Sequence, residues 1–303
     1  MCRLFGMSGG QRRMHATFWL LEASDSLAAQ SRRNPDGYGL ATFAEDGTPE
    51  IKKRPAAAYD DEEFACEAKQ EESRTFVAHV RYASTGKVAM ENTHPFEQKG
   101  RVFAHNGVIG GLDSLDARLG DYASLVHGET DSERFFALIT KGIDDSGGDV
   151  GEGIARAVRW VARELPLYSL NFILADESDL WALRYPETHG LLMLERAPGG
   201  PTGVRHLDAA SRAGTVRVRS AALASRPSVI FATEQMDEEA GWQPLASGQL
   251  VHVDSDLKCS SVKIDEPPAH LLTLADLEPH AAASQQEPEP LSSKAAPNAS
   301  PSR

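Results

Sequence analysis

The chain opens MCRLFGMSGG, which sets one of only three cysteines in 303 residues directly behind the initiator methionine. A cysteine is small enough to permit removal of Met1, and Cys2 would then carry a thiol and a free α-amino group on the same residue. A free thiol titrates near pH ~8.5, so it is a few per cent ionised at neutral pH and needs a base or an electropositive setting to act as a nucleophile. An α-amino group titrates at about 7.7–8.0 and is partly neutral under the same conditions. It can take the thiol proton, through a water where direct geometry is too tight, and later return it to a leaving amine. The chemistry this suggests is attack of a thiolate on an amide carbonyl. The opposing reading is an inert cysteine that falls at position 2 by chance.

Such a reaction needs donors for the oxyanion and a way to hold the substrate. The stretch FAHNG presents Asn106 and Gly107 behind an apolar strand, where a side-chain amide and a backbone N–H could serve as donors. An Asn-Gly pair is also a common hairpin turn. Arg81, at the end of the alternating run RTFVAHVRYAS, offers the planar fork that binds a carboxylate in bidentate fashion, although it could equally be a surface ion-pair partner. His79, His94 and His105 lack metal-ligand spacing such as HExxH, so neither a metal nor a cofactor is expected. Cys66, in an acidic helical stretch, and Cys259 read as passive.

These residues must be carried by strands. Arg74–Ser84 alternates, with Phe76, Ala78, Val80 and Tyr82 on one face and Val77, His79 and Arg81 on the other. Short β-branched or aromatic runs recur at Gly37–Phe43, Arg101–His105, Leu170–Ala175, Leu180–Tyr185, Leu191–Leu194, Val229–Thr233 and Leu250–Asp254. Helical spacing links Ile154, Val158, Val161 and Leu165, and also Phe135, Leu138 and Ile139. TDSE at Thr130–Glu133 has the form of a capping box. Many antiparallel-type strands with helices between groups of them indicate an α+β fold or a sandwiched αββα architecture.

Composition narrows the function. A formal charge of −13 disfavours nucleic acid and anionic membrane surfaces as partners. No stretch approaches the ~20 apolar residues of a membrane span, and the start lacks the apolar core of a signal peptide. Sparse cysteines without CxxC spacing fit a reducing compartment, so a cytoplasmic protein acting on a small molecule is expected. From Glu278 the sequence is rich in Pro, Ser and Ala, with Leu291 its only large apolar residue. Residues 1–276 are therefore expected to form the domain, and 277–303 a disordered, dispensable tail.

NPDGYGLATF at Asn34, AHVRYASTG at Ala78, NTHPF followed by FAHNG between Asn92 and Gly107, and GETDSE at Gly128 stand in order behind Cys2. Together they resemble the class II glutamine amidotransferases. This is the N-terminal-nucleophile family whose glutaminase domains occur in glucosamine-6-phosphate synthase and glutamine phosphoribosylpyrophosphate amidotransferase. The likeness is strongest to a stand-alone branch that includes γ-glutamyl hydrolases of ergothioneine biosynthesis and relatives acting in glutathione degradation. It extends to about Asp254.

The resemblance implies a four-layer αββα N-terminal-nucleophile hydrolase sandwich of two mainly antiparallel sheets. It further implies cleavage of a γ-glutamyl amide through a thioester on Cys2, with Asn106 and Gly107 as the oxyanion hole. Arg81, Ser84 and Thr85 would hold the substrate α-carboxylate and Asp131 its α-ammonium, although Asp131 could simply complement a helix dipole. The chain departs from the larger amidotransferases at Arg33-Asn34-Pro35 and at Tyr82-Ala83-Ser84-Thr85. It ends about where a glutaminase domain ends, which favours an autonomous hydrolase. The alternative is a glutaminase subunit that passes ammonia to a separate synthase partner.

Overall fold

The computed structural model describes residues 2–82, 86–198, 207–210, 217–220 and 226–285. In chain order the strands are β1 (Arg3–Ser8), β2 (Gly37–Phe43), β3 (Pro49–Arg54), β4 (Thr75–Arg81), β5 (Phe96–Gln98), β6 (Arg101–Ile109), β7 (Pro166–Ala175), β8 (Leu180–Arg184), β9 (Leu192–Arg196), β10 (Leu207–Ala210), β11 (Arg217–Ser220), β12 (Ser228–Ala232), β13 (Gln243–Pro244), β14 (Gln249–Val253), β15 (Cys259–Lys263) and β16 (His270–Leu271). The α-helices are α1 (Leu27–Gln30), α2 (Glu62–Gln70), α3 (Leu112–Leu119), α4 (Asp131–Asp145), α5 (Val150–Glu164) and α6 (Pro279–Gln285).

Two antiparallel sheets stack face to face. The first has the order β13-β9-β12-β1-β4-β2-β3 and the second β15-β14-β8-β7-β6-β5, with β16 added parallel to β7. Residues alternate between the two faces of each strand, and three apolar clusters follow from that alternation. Leu4, Val77, Ala104, Ile173, Val229 and Phe231 fill the layer between the sheets. Phe5, Met7, Phe76, Ala78 and Val80 face outward, against Trp19, Leu27 and Phe64 in the segment that carries α1 and α2. Phe103, Phe172 and Leu174 face the other way, against Phe135, Ile139, Ile154 and Val158 of α4 and α5. The four layers are α, β, β and α, as expected. β1 had no alternation to betray it, because RLFGMS is buried along its whole length. The sheets approach closely there, and a Cβ on Gly6 would lie 2.8 Å from Ile173 Cγ2.

Helix starts follow local chemistry. Thr130 Oγ1 accepts the Glu133 N–H at 3.2 Å and caps α4. The Glu133 carboxylate accepts the Gly128 N–H at 2.6 Å, so it fastens the preceding loop as well. Asp149 caps α5 in the same way, through the Glu152 N–H at 2.9 Å.

Two expectations change. β6 does not stop at His105 but runs to Ile109, with Asn106 opposite Asn171 and Gly107 opposite Leu170 on β7. The expected disordered tail begins instead with α6, whose Ala281, Ser284 and Gln285 are buried. Small residues allow that helix to pack closely without large apolar anchors. Residues 286–303 of that tail lie outside the described residues. No described helix is long and apolar enough to cross a membrane.

Candidate active site

Cys2 stands at the head of β1, a central strand whose Arg3 is opposite Val80 on β4. That register carries the end of β4 past the thiol. Cys2 Sγ accepts the Tyr82 N–H at 3.1 Å and lies 3.2 Å from the Tyr82 carbonyl. The Cys2 carbonyl accepts Asn106 Nδ2 at 2.8 Å and Arg3 Nη1 at 3.3 Å. Arg3, fully buried, pairs with Glu234 at 2.5 Å, and Glu234 also accepts Arg33 Nη2 at 3.0 Å. Thr233 Oγ1 accepts the Leu4 N–H at 2.9 Å. The first residues of β1 are thus fixed from both sides. Burial pushes the Cys2 thiol above its ordinary value, while the Tyr82 N–H, Arg81 and Arg3 pull it down.

Asn106 and Gly107 lie within β6 rather than at a turn, which removes the hairpin reading. Asn106 shares with Val102 and Ala104 the face toward the first sheet, and so reaches Cys2 across 104 positions of sequence. Its Nδ2 has a second hydrogen beyond the one given to Cys2. Leu170 donates its N–H to Tyr185 on the β8 side. The Gly107–Leu170 pair is therefore of the non-hydrogen-bonded kind, and the Gly107 N–H points away from β7. That edge of β6 is covered by β5 only from Arg101 to Phe103. A side chain at Gly107 would collide with the Ser169 carbonyl and with His105.

On the same open edge, the Ile109 N–H donates to Asp131 Oδ2 at 2.8 Å. Asp131 is the first residue of α4 and is buried. Arg81, also buried, donates Nη1 to the Lys87 carbonyl at 3.1 Å, with Nη2 3.5 Å from the Gly86 carbonyl. Burial draws the Arg81 guanidinium below its usual value, and the charges of Cys2, Asp36 and Asp131 oppose that shift. One loop joins these groups: Asn92 donates Nδ2 to the Lys87 carbonyl at 3.2 Å and accepts the Glu129 N–H at 2.8 Å. Cys2, Arg81 and Asn106 therefore converge at one end of the inter-sheet layer, with Asp131 at the β6 edge. Ser84 and Thr85 lie outside the described residues.

His79, His94 and His105 are buried close to one another, the first two also near Arg81. The rings of His79 and His94 have centroids 4.4 Å apart, and His105 Nδ1 is 2.9 Å from Ser132 Oγ. Burial keeps all three imidazoles neutral, with His79 pulled down to about 3 and His94 and His105 also lowered. No cluster of three or more His, Cys, Asp or Glu suited to a metal ion occurs among the described residues.

Several contributors escaped the sequence reading. They are the Tyr82 backbone, Asn92, Glu129, and the Arg3–Glu234–Arg33 network. Tyr82 belongs to the AHVRYASTG stretch, and its role is carried by backbone atoms that its side-chain type does not advertise. Glu234 is separated from Arg3 by most of the chain, so no local spacing could connect them.

A cysteine heading a central strand, between two antiparallel sheets flanked by helices and beside an amide donor, is the arrangement of an N-terminal-nucleophile hydrolase. The profile of the class II glutamine amidotransferases matches residues 1–270, and the chain belongs to that family. The chain is 31% identical over 142 residues to the Saccharomyces cerevisiae protein named Probable glutamine amidotransferase DUG3, a match spanning 42% of this chain and 40% of that one. It is 28% identical over 265 residues to the γ-glutamyl-hercynylcysteine sulfoxide hydrolase of Mycobacterium tuberculosis, covering 84% of this chain and 93% of that one. Its fold is similar to that of the glutamine phosphoribosylpyrophosphate amidotransferase of B. subtilis, with a TM-score of 0.59 and 17% identity, covering 87% of this chain and 49% of that one. A class II glutamine aminotransferase domain protein from Silicibacter pomeroyi gives a TM-score of 0.55 at 17% identity, covering 86% of this chain and 99% of that one.

Proposed function

We propose that this protein hydrolyses a γ-glutamyl amide through a thioester on Cys2 once Met1 has been removed. The Cys2 α-amine takes the thiol proton, and Sγ attacks the γ-carbonyl carbon. The C–N bond then breaks and the amine leaves with that proton. Water attacks the thioester, releasing glutamate and returning a proton to sulfur. Asn106 Nδ2 and the Gly107 N–H stabilise the oxyanion. Arg81, with Ser84 and Thr85, holds the α-carboxylate, and Asp131 the α-ammonium.

The observation that carries this reading is the contact of Asn106 Nδ2 with the Cys2 carbonyl at 2.8 Å, beside an Sγ held at Tyr82. An autonomous hydrolase is favoured over an ammonia donor by the likeness to a γ-glutamyl hydrolase over 84% of this chain and 93% of that one. The test is a panel assay of protein with an unmodified N-terminus, following glutamate release from glutamine, glutathione and other γ-glutamyl amides. The expected result is cleavage of one conjugate with a kcat/KM of order 10⁴ M⁻¹s⁻¹ or better, and slower turnover of glutamine. Activity confined to glutamine and dependent on an added partner would replace this reading with ammonia delivery.

A further inference from the structure

α6 returns the C-terminal part of the chain to the nucleophile. At one end, the His280 ring lies against Tyr82, centroids 5.9 Å apart, and Tyr82 is the residue whose backbone holds Cys2 Sγ. At the other end, Gln285 Oε1 is 2.8 Å from His189 Nε2. The His189 carbonyl accepts Asn171 Nδ2 at 3.1 Å, and Asn171 is directly opposite Asn106 on β7. The helix thus spans from a neighbour of the thiol on the first sheet to a neighbour of Asn106 on the second. Ala281, Ser284 and Gln285, at i, i+3 and i+4, face inward, and His280 remains exposed.

The side on which this helix lies matters. The Gly107 N–H and Asp131 are on the edge of β6 that faces away from β7. α6 is tied to the β7–β8 side through His189 and Asn171. Asn106 stands between the two, so the Gln285 end of the helix is opposite Gly107 and Asp131, while its His280 end rests on Tyr82, on the Cys2 side of Arg81. We propose that α6 walls a leaving-group subsite, and that the Tyr82–His280 ring pair provides a surface for an amine of amino-acid size or larger. Ammonia would need no such surface. This inference rests on the γ-glutamyl hydrolase reading above.

Three proteins test it beside the full chain: one ending at Gln285, one ending at Leu277, and full-length His280→Ala. The quantity to measure is the ratio of kcat/KM for γ-glutamyl-p-nitroanilide to that for glutamine, with circular dichroism and melting temperature as the check on folding. The chain ending at Gln285 should keep the full-length ratio. Ending at Leu277 should lower it about tenfold or more, and His280→Ala about threefold, the scale expected for losing one aromatic contact. If the shorter chain does not fold, His280→Ala decides, since its side chain is exposed. An unchanged ratio, or one that rises because the helix merely obstructs bulky amines, overturns the inference. A full chain that cleaves neither substrate would instead overturn the hydrolase reading on which it rests.

Discussion

Cys2 and Cys259 are both shielded thiols, and burial pushes both above their ordinary value, Cys259 to about 11. What surrounds them differs in sign. Around Cys2 the Tyr82 N–H, Arg81 and Arg3 all favour the thiolate. Around Cys259, on β15, the carboxylates of Glu195 and Asp254 reinforce the shift, and Sγ has only a distant contact with the Leu257 carbonyl at 3.9 Å. Burial alone therefore does not make a nucleophile. A buried thiol is eased toward the thiolate where donors and cations oppose the desolvation cost, and of these two sites the β1 end of the inter-sheet layer provides both.

The largest expected contrast is in turnover. Cys2→Ala should lower it by at least about 10⁴-fold with the fold intact, measured as glutamate release and circular dichroism. Appreciable activity in that variant would place the nucleophile elsewhere.

The second contrast is in acid sensitivity, because the Cys2 end also holds three imidazoles kept neutral by burial. Unfolded, they protonate near their ordinary value of about 6.5, so the unfolded chain binds more protons. Their stabilising contribution is complete above that pH and is lost as pH falls toward the folded values, about 3 for His79. Between pH 7 and 5.5 denaturant melts should show a loss of about 3–4 kcal/mol, a little over 1 for each imidazole, before carboxylates titrate. A flat profile there would mean the cluster is hydrated or charged in the fold.

The third separates the two readings of Asp131. Asparagine keeps an acceptor for the Ile109 N–H and removes only the charge. If that charge binds the substrate ammonium, Asp131→Asn should lower kcat/KM about thirtyfold or more with little change in stability, and the deficit should vanish for an N-acetylated substrate. A helix-dipole role alone would cost about 0.3–1 kcal/mol of stability and leave the kinetics nearly intact. The smallest effect belongs to Cys259→Ser, with turnover within about twofold and stability within about 0.5 kcal/mol of the parent. A large kinetic loss there would erase the distinction between the two thiols.

Local pattern made much of this legible. The alternation through Val77, His79 and Arg81 predicts the face that β4 turns to the second sheet, and Thr130 announces the start of α4. Fully buried β1 had no alternation to read. The β6 boundary was misjudged because Asn-Gly resembles a turn, whereas pairing with Asn171 and Leu170 keeps the strand extended. α6 was missed because its buried face is small or polar; Pro279 at its first turn, ahead of an alanine run, was the available signal. Contacts such as Asn106 to Cys2 or Arg3 to Glu234 join residues far apart in the chain, so only the folded sheets bring them together.

The mechanism turns on the α-amine of Cys2, and one paired measurement reaches it: intact mass and turnover of the native protein beside a variant with residues added before Cys2. The native protein should lack the mass of Met1 and be active, and the extended variant should lose turnover by about 10³-fold or more, since its sulfur has no adjacent free amine. A fully active protein that retains Met1 or the added residues would contradict the mechanism.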